Sequence, residues 1–177
     1  MEEKQQILIV KLSSLGDVLH ALPAVAELKR QLRGEIHWAV QPGFSSLVGC
    51  FSCVDKVIEV PRPGFNRAYS AALCQIRSTE YDMVVDFQGL LKSAIIARAA
   101  RAPRRIGPSF AREGSKFFYH ELAGSENKNR HAIEECLDVI SHLGLEMPSK
   151  PSFPMKVPDI DLDALMAELP YRGPRIA

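Results

Sequence analysis

No apolar run in this chain approaches the roughly 20 residues that a bilayer-spanning helix needs, which argues against such a span. The opening residues, MEEKQQ, are acidic and polar, unlike a secretory leader, so a cytoplasmic protein is expected. Net charge is nearly absent: the formal value is +1, and no global field draws the chain to nucleic acid. Cysteine is sparse and irregular, four residues in all, which fits reduced thiols better than a disulfide framework. Cys50 and Cys53 form a lone CxxC with no second pair at useful spacing. Small buried hydrophobes are therefore a better reading than a structural zinc, and no metal is expected. A GxGxxG fingerprint is also missing, which counts against a nicotinamide-dependent oxidoreductase. What the chain does have is 177 residues, 46% of them hydrophobic, enough for one sizeable core.

The informative stretch spans residues 7–20, ILIVKLSSLGDVLH. Its nearly continuous apolar run, residues 7–12, suits a strand covered on both faces. From Leu15 the apolar positions Leu15, Leu19, Leu22 and Ala26 fall at helical spacing. Strand, polar turn and helix place the turn where free N–H groups and the helix dipole favour an anion. Asp17 sits where a helix N-cap is expected and has two readings: a cap for the first-turn amides, or a general base at the mouth of a cleft. Ser13 and Ser14 likewise either satisfy local donors or orient a substrate, and Gly16 is expected to permit a positive φ or the close approach of a ligand.

Further along, residues 35–41, 56–60, 81–87 and 104–107 read as strands, separated by helical segments over 44–51, 65–79 and 90–101. This alternation predicts an α/β fold with a parallel sheet. Pro23 is expected to kink the first helix or to begin its longer part, and Gly34 to close it. Asp86-Phe87-Gln88-Gly89 ends the fourth strand at the same sheet edge as the Ser13–Asp17 turn, so two polar loops converge on one rim. From Lys92 to Lys116 seven cations (Lys92, Arg98, Arg101, Arg104, Arg105, Arg112, Lys116) face Glu113 alone; Arg98 and Arg101, three apart on a helix, read as a solvated face, while the cluster otherwise reads as a local anion site with Lys92 its best candidate. Phe117 and Phe118 read as core, and residues 131–143 as an amphipathic helix with His131 in its first turn. Pro148, Pro151, Pro154 and Pro158 mark a linker or strap. A short helix follows over 161–169, and Ile176-Ala177 looks like the opening of a strand left unfinished, as in a cut chain.

Two of these stretches carry a resemblance. VKLSSLGDVLHALPAV and YDMVVDFQGLLKSA, followed in order by Arg112-Glu113 and Arg130-His131-Ala132, resemble the heptosyltransferases of glycosyltransferase family 9, heptosyltransferase I above all. The resemblance implies the N-terminal domain of a GT-B glycosyltransferase. Residues 1–147 would be a Rossmann-like acceptor-binding domain, and 148–177 a strap leading to a missing C-terminal nucleotide-sugar domain. It implies inverting, metal-independent transfer of heptose from the co-substrate ADP-heptose to a Kdo residue of lipid A, with no cofactor. Asp17 matches the family's base. Ser13, Ser14 and Gly16 would shape the cleft floor, while Gln88, Gly89, Lys92, Ser93, Arg112, Glu113 and His131 would hold the anionic acceptor. The acceptor's lipid tails imply peripheral contact with the inner face of the inner membrane. This stretch alone is expected to be inactive. A second reading is a stand-alone Rossmann-like module that binds an anion or nucleotide and catalyses nothing.

Overall fold

Residues 7–10 are apolar and fully buried, and with Gln6 they make the central strand β1 (Gln6–Val10) of a computed structural model. The structure describes residues 4–62, 67–126 and 130–156. β1 pairs in parallel with β2 (Glu35–Val40) on one side and β4 (Met83–Asp86) on the other. β3 (Lys56–Glu59), β5 (Arg104–Pro108) and β6 (Glu121–Ala123) complete a six-stranded, all-parallel sheet in the order β3-β2-β1-β4-β5-β6. The connections change direction between β1 and β4, so a crevice opens at the carboxyl ends of these two strands.

Alternation along β1 divides the core. Ile7 and Ile9 point to one face, where α1 (Leu15–Leu32), α2 (Ser45–Gly49) and α5 (Ala132–His142) contribute Leu22, Val48 and Leu137. Leu8 and Val10 point to the other, under α3 (Arg67–Arg77) and α4 (Leu91–Ala99), with Ile76 and Ile96. Pro23 lies buried inside α1, which runs without a break from Leu15 to Leu32, so the helix does not start late at the proline. The αL residue that ends α1 is Arg33, at φ 53°, its N–H bonded to the Lys29 carbonyl. Gly34 is needed for another reason. A Cβ there would stand 2.7 Å from the Gln5 carbonyl oxygen, so glycine lets the chain pass beside β1.

Two expectations change on the rim side. β6 is a strand of only three residues, Glu-Leu-Ala, too short to show a period, and its pairing with β5 defines it. Phe117 is 93% exposed, not core, whereas Phe118 is partly buried against the α3/α4 cluster. The reason is the short 3-10 turn Ser115–Phe118, in which buried Ser115 donates to the Gly89 carbonyl and turns Phe117 outward. The strap expected after α5 lies on the domain. Glu146 exchanges hydrogen bonds with the Gln31 side chain, Ser52 N–H donates to Pro154 O, and Lys156 N–H donates to Cys50 O. The expected helix at 161–169 and strand opening at 176–177 lie outside the described residues. Among the described residues no helix is long and apolar enough to cross a membrane.

Glu121 ties the new edge together. It receives two hydrogen bonds of 2.8 Å from Arg104 on β5 and one of 2.9 Å from His142 at the end of α5. The Arg104 bonds, helped by His142 and opposed by slight burial, hold its carboxyl at about 2. A carboxylate depressed by folding stabilises above its ordinary pKa, and the benefit is lost as pH falls through the folded value. Thermal melts between pH 6 and pH 2 should therefore show a steeper acid-side fall for the native chain than for Glu121→Gln. Parallel curves would mean that this cluster adds nothing to stability.

Candidate active site

The loop after β1 is clamped to the loop after β4. Lys11 is buried, and its Nζ donates to the Phe87 carbonyl at 2.9 Å. The Leu12 and Ser13 N–H groups donate to Gln88 Oε1 at 3.1 and 3.3 Å. On the far side, Trp38 Nε1 donates to Lys11 O and Gln41 N–H to Leu12 O, so β2 braces the same loop. The Ser13–Ser14 peptide is cis.

Helix α1 begins one residue later than Ser14, which is its N-cap. Asp17 is therefore the third helical residue rather than the cap. Its carboxylate reaches back to accept the Ser14 N–H and the Ser14 hydroxyl, both at 3.0 Å, as one arm of a capping box. Asp17 is half-buried, and burial alone would raise its pKa. The Ser14 N–H bond, the Lys11 charge, the Ser14 hydroxyl and His20 outweigh burial and hold the carboxyl below its ordinary range. Gly16 is neither in a positive-φ conformation nor crowded. A Cβ there would find only His20 Cε1, at 3.9 Å, so backbone conformation does not require glycine and the space above it is open.

The second loop is built on Asp86. This side chain is fully buried, and Oδ1 accepts the Gln88 and Gly89 N–H groups at 2.7 and 3.2 Å, while Tyr119 donates its hydroxyl to Oδ2 at 2.7 Å. Burial raises the Asp86 carboxyl above its ordinary value, against the pull of those donors, and also drives the Tyr119 hydroxyl upward. Gly89, at φ 67°, lies so close to Pro108 that a Cβ would come within 2.7 Å of its ring. Its carbonyl accepts the Arg112 N–H at 2.9 Å, which draws the loop after β5 onto the same rim. Two of the predicted ligands serve the start of α4. Ser93 is buried and exchanges bonds with the Leu90 N–H and carbonyl, and Glu113 accepts the Leu91 N–H at 3.1 Å.

Between these loops and the amino end of α5 lies a cleft of about 220 Å³, walled by Lys11, Asp17, His20, Gln88, Arg112 and Glu135 among others. A larger groove, about 780 Å³, opens at the opposite, amino edge of the sheet by Gln6, Asp82 and Arg101, away from the two polar loops. The sequence reading found Asp17, Gln88, Gly89 and Arg112, all of which line the cleft. Lys92 sits half-buried in the first turn of α4, where its charge opposes the helix dipole, and it has no hydrogen-bond or ion-pair partner among the described residues. His131 caps α5, accepting the Ile133 N–H at Nδ1, and its ring meets that of His20 edge-on at 5.6 Å. Lys11, His20 and Glu135 were missed. Two signals were available: a lysine interrupting the apolar run, and a histidine three residues after Asp17 on the same helix. Cys136 also lines the cleft, but burial pushes its thiol up to about 12, so it is no nucleophile. Among the described residues no group of three or more histidine, cysteine or acidic side chains could hold a metal ion.

The family model for glycosyltransferase family 9 (heptosyltransferase) matches residues 71–167, more than half of the chain. The chain belongs to this family. Lipopolysaccharide heptosyltransferase 1 of Salmonella typhimurium is 33% identical over 156 residues, which cover 81% of this chain and 49% of that protein. The Pseudomonas aeruginosa protein of the same name is 31% identical over 173 residues, 89% of this chain and 46% of its own length. The chain thus spans about half the length of the curated relatives it matches. Among solved structures, E. coli heptosyltransferase WaaC with ADP-2-deoxy-2-fluoro heptose superposes with a TM-score of 0.74 at 30% identity, covering 84% of this chain and 52% of that one. A family 9 glycosyltransferase from Veillonella parvula, at 19% identity, gives a TM-score of 0.73 over 89% of this chain and 46% of its own, and supports the fold alone. The six-stranded parallel sheet is the Rossmann-like N-terminal domain of a GT-B glycosyltransferase.

Proposed function

We propose that this chain is the acceptor-binding half of an inverting heptosyltransferase that moves heptose from ADP-heptose to a Kdo residue of the lipopolysaccharide inner core. The observation that carries the proposal is the Asp17 carboxylate, anchored by Ser14 at the edge of a cleft that also contains Lys11 and Arg112. Inversion in one displacement needs a base beside the attacking hydroxyl and a fixed line of approach. Asp17 would take the hydroxyl proton as the new C–O bond forms and the bond to the diphosphate breaks, the electron pair leaving with ADP. A depressed carboxyl is a weak base in the ground state, so proton transfer comes late, once the acceptor oxygen has become acidic.

The remaining roles follow from position. Lys92 and Arg112 supply unpaired positive charge for the acceptor's carboxylate and phosphates, and Gln88 and Gly89 line the floor. Ser13, Ser14, Ser93, Glu113 and His131 act by holding the three loops and helix starts. The domain spans residues 1–147, and residues from 148 lead toward a separate nucleotide-sugar half. No cofactor is invoked beyond the co-substrate. The acceptor's lipid places the enzyme in peripheral contact with the inner face of the inner membrane, and the chain alone binds acceptor without turnover.

Calorimetric titration of the chain with a delipidated Kdo acceptor, and separately with ADP-heptose, tests this assignment. Acceptor binding weakened about 5- to 10-fold by Lys92→Ala, with no measurable ADP-heptose affinity, is expected for charge-assisted contacts of this kind. Nucleotide binding without acceptor binding would instead favour a non-catalytic nucleotide module.

A further inference from the structure

Helices α1 and α5 bring their amino ends to the same cleft, and each contributes titratable side chains one turn apart. Asp17 and His20 line it from α1 and Glu135 from α5, while His131, the α5 N-cap, packs against His20. His20 joins the two pairs, lining the cleft beside Asp17 and meeting His131 edge-on with ring centroids 5.6 Å apart and planes at 68°. Its Nδ1 is buried and has no hydrogen-bond partner. Buried polar atoms are normally paired, and a histidine used for structure normally has its tautomer set by such a bond. No hydrogen bond at Nδ1 fixes the tautomer of this ring. The charged and titratable groups sharing the cleft or the ring contact with it are Asp17 on its own helix, His131, Glu135 and Cys136 on α5, Lys11 from the β1 loop and Arg112 from the β5 loop.

From this arrangement we infer that His20 is a positioning residue that carries the reaction's proton away from Asp17. The inference rests on the heptosyl-transfer reading above. The acceptor O–H proton passes to the Asp17 carboxylate as the sugar–diphosphate bond breaks. It then moves to the His20 imidazole and on to water, which restores Asp17 as a carboxylate and His20 as a neutral ring. Physically, a carboxyl held in its charged form by Ser14 and Lys11 gives up a proton readily, and imidazole is the side chain best suited to accept one near neutral pH.

Two measurements test the inference. In this chain joined to the nucleotide-sugar half of a heptosyltransferase 1, His20→Gln should lower kcat roughly 10- to 100-fold with little change in KM, less than the ~10²–10⁴-fold typical of losing the primary acid or base. It should also remove the acid limb of the kcat–pH profile. His20→Ala should be rescued by added imidazole but not by the weaker base pyrazole, which has the same shape. In the chain by itself, the ring 15N chemical shifts of His20 at pH 7 should move when Asp17 becomes asparagine, and this arm does not depend on turnover. Wild-type kcat with an unchanged profile in His20→Gln, a change confined to KM, or 15N shifts indifferent to Asp17→Asn would each overturn the relay. If the unsubstituted fusion transfers no heptose, the heptosyl reading itself fails, and the 15N arm alone then decides whether Asp17 and His20 are coupled.

Discussion

Replacing Asp17 with asparagine is expected to cut heptosyl transfer by about 10²- to 10⁴-fold, the usual contribution of a positioned general base, while the melting temperature barely moves. The two effects separate because, in the proposed mechanism, Asp17 does two things. Its oxygen accepts the Ser14 N–H and hydroxyl, each at 3.0 Å, and an amide oxygen can do the same. An amide cannot take a proton. Asp17→Ala removes both functions and should add a stability loss of about 1 kcal/mol, typical of a lost helix cap. Initial rates of ADP release by the chain joined to a nucleotide-sugar half, read beside thermal melts, give both quantities. Turnover retained in the asparagine variant would remove Asp17 from the chemistry and leave it only as the N3 arm of the capping box.

The largest stability effect is expected at Asp86, where Asp86→Ala should cost about 3 kcal/mol or more. Three donors, the Gln88 and Gly89 amides and the Tyr119 hydroxyl, converge on this fully buried carboxyl, and each donor left unpaired costs about 1–3 kcal/mol. Against a typical total of about 5–15 kcal/mol, that is a large fraction of the fold's margin. Asp86→Asn should cost only about 1 kcal/mol, since its carbonyl still receives the amides and the tyrosine hydroxyl can turn to accept. Urea denaturation of the two variants gives the comparison, and equal losses would mean that charge, not pairing, is what the site needs. The pH dependence has the opposite sign to that of Glu121. Burial raises the Asp86 carboxyl, so the folded chain holds its proton more tightly than the unfolded one. Stability falls as pH climbs from the ordinary carboxylate range toward the raised value, and Asp86→Asn should lack that slope. The cost also reaches the site, because Asp86 aims the backbone of Gln88, whose side chain holds the Leu12 and Ser13 amides.

Tyr119 shows how closely this support is built. Its ring occupies the space beside Gly107, where a Cβ would stand 2.2 Å from Tyr119 Cδ2, so β5 must lack a side chain for the tyrosine to reach Asp86. Nothing in the local pattern of residues 104–108 or 115–122 announces that contact. Phe117 is exposed for a related reason: hydrophobicity alone predicts core, but the hydrogen bond from Ser115 to Gly89 sets which side of the turn faces inward. The three-residue β6 and the true role of Gly34 likewise depend on neighbours distant in sequence.

The sequence by itself determined the parallel α/β architecture, five of the six strands, the position of the Asp17 turn at the rim, and the second loop from Asp86 to Gly89. These are legible because a buried strand and an amphipathic helix are short-range patterns, with periods of two and 3.6 residues, read without knowing what they touch. Tertiary structure alone decided which side chains share the cleft. Lys11 reaches the Phe87 carbonyl, and the Leu12 amide reaches Gln88, each across 76 positions of chain, and His20 meets His131 across the α1–α5 interface. No period in a sequence encodes such a meeting. It follows from packing two helix starts and two loops around the carboxyl ends of β1 and β4, where the sheet's change of direction leaves room for them.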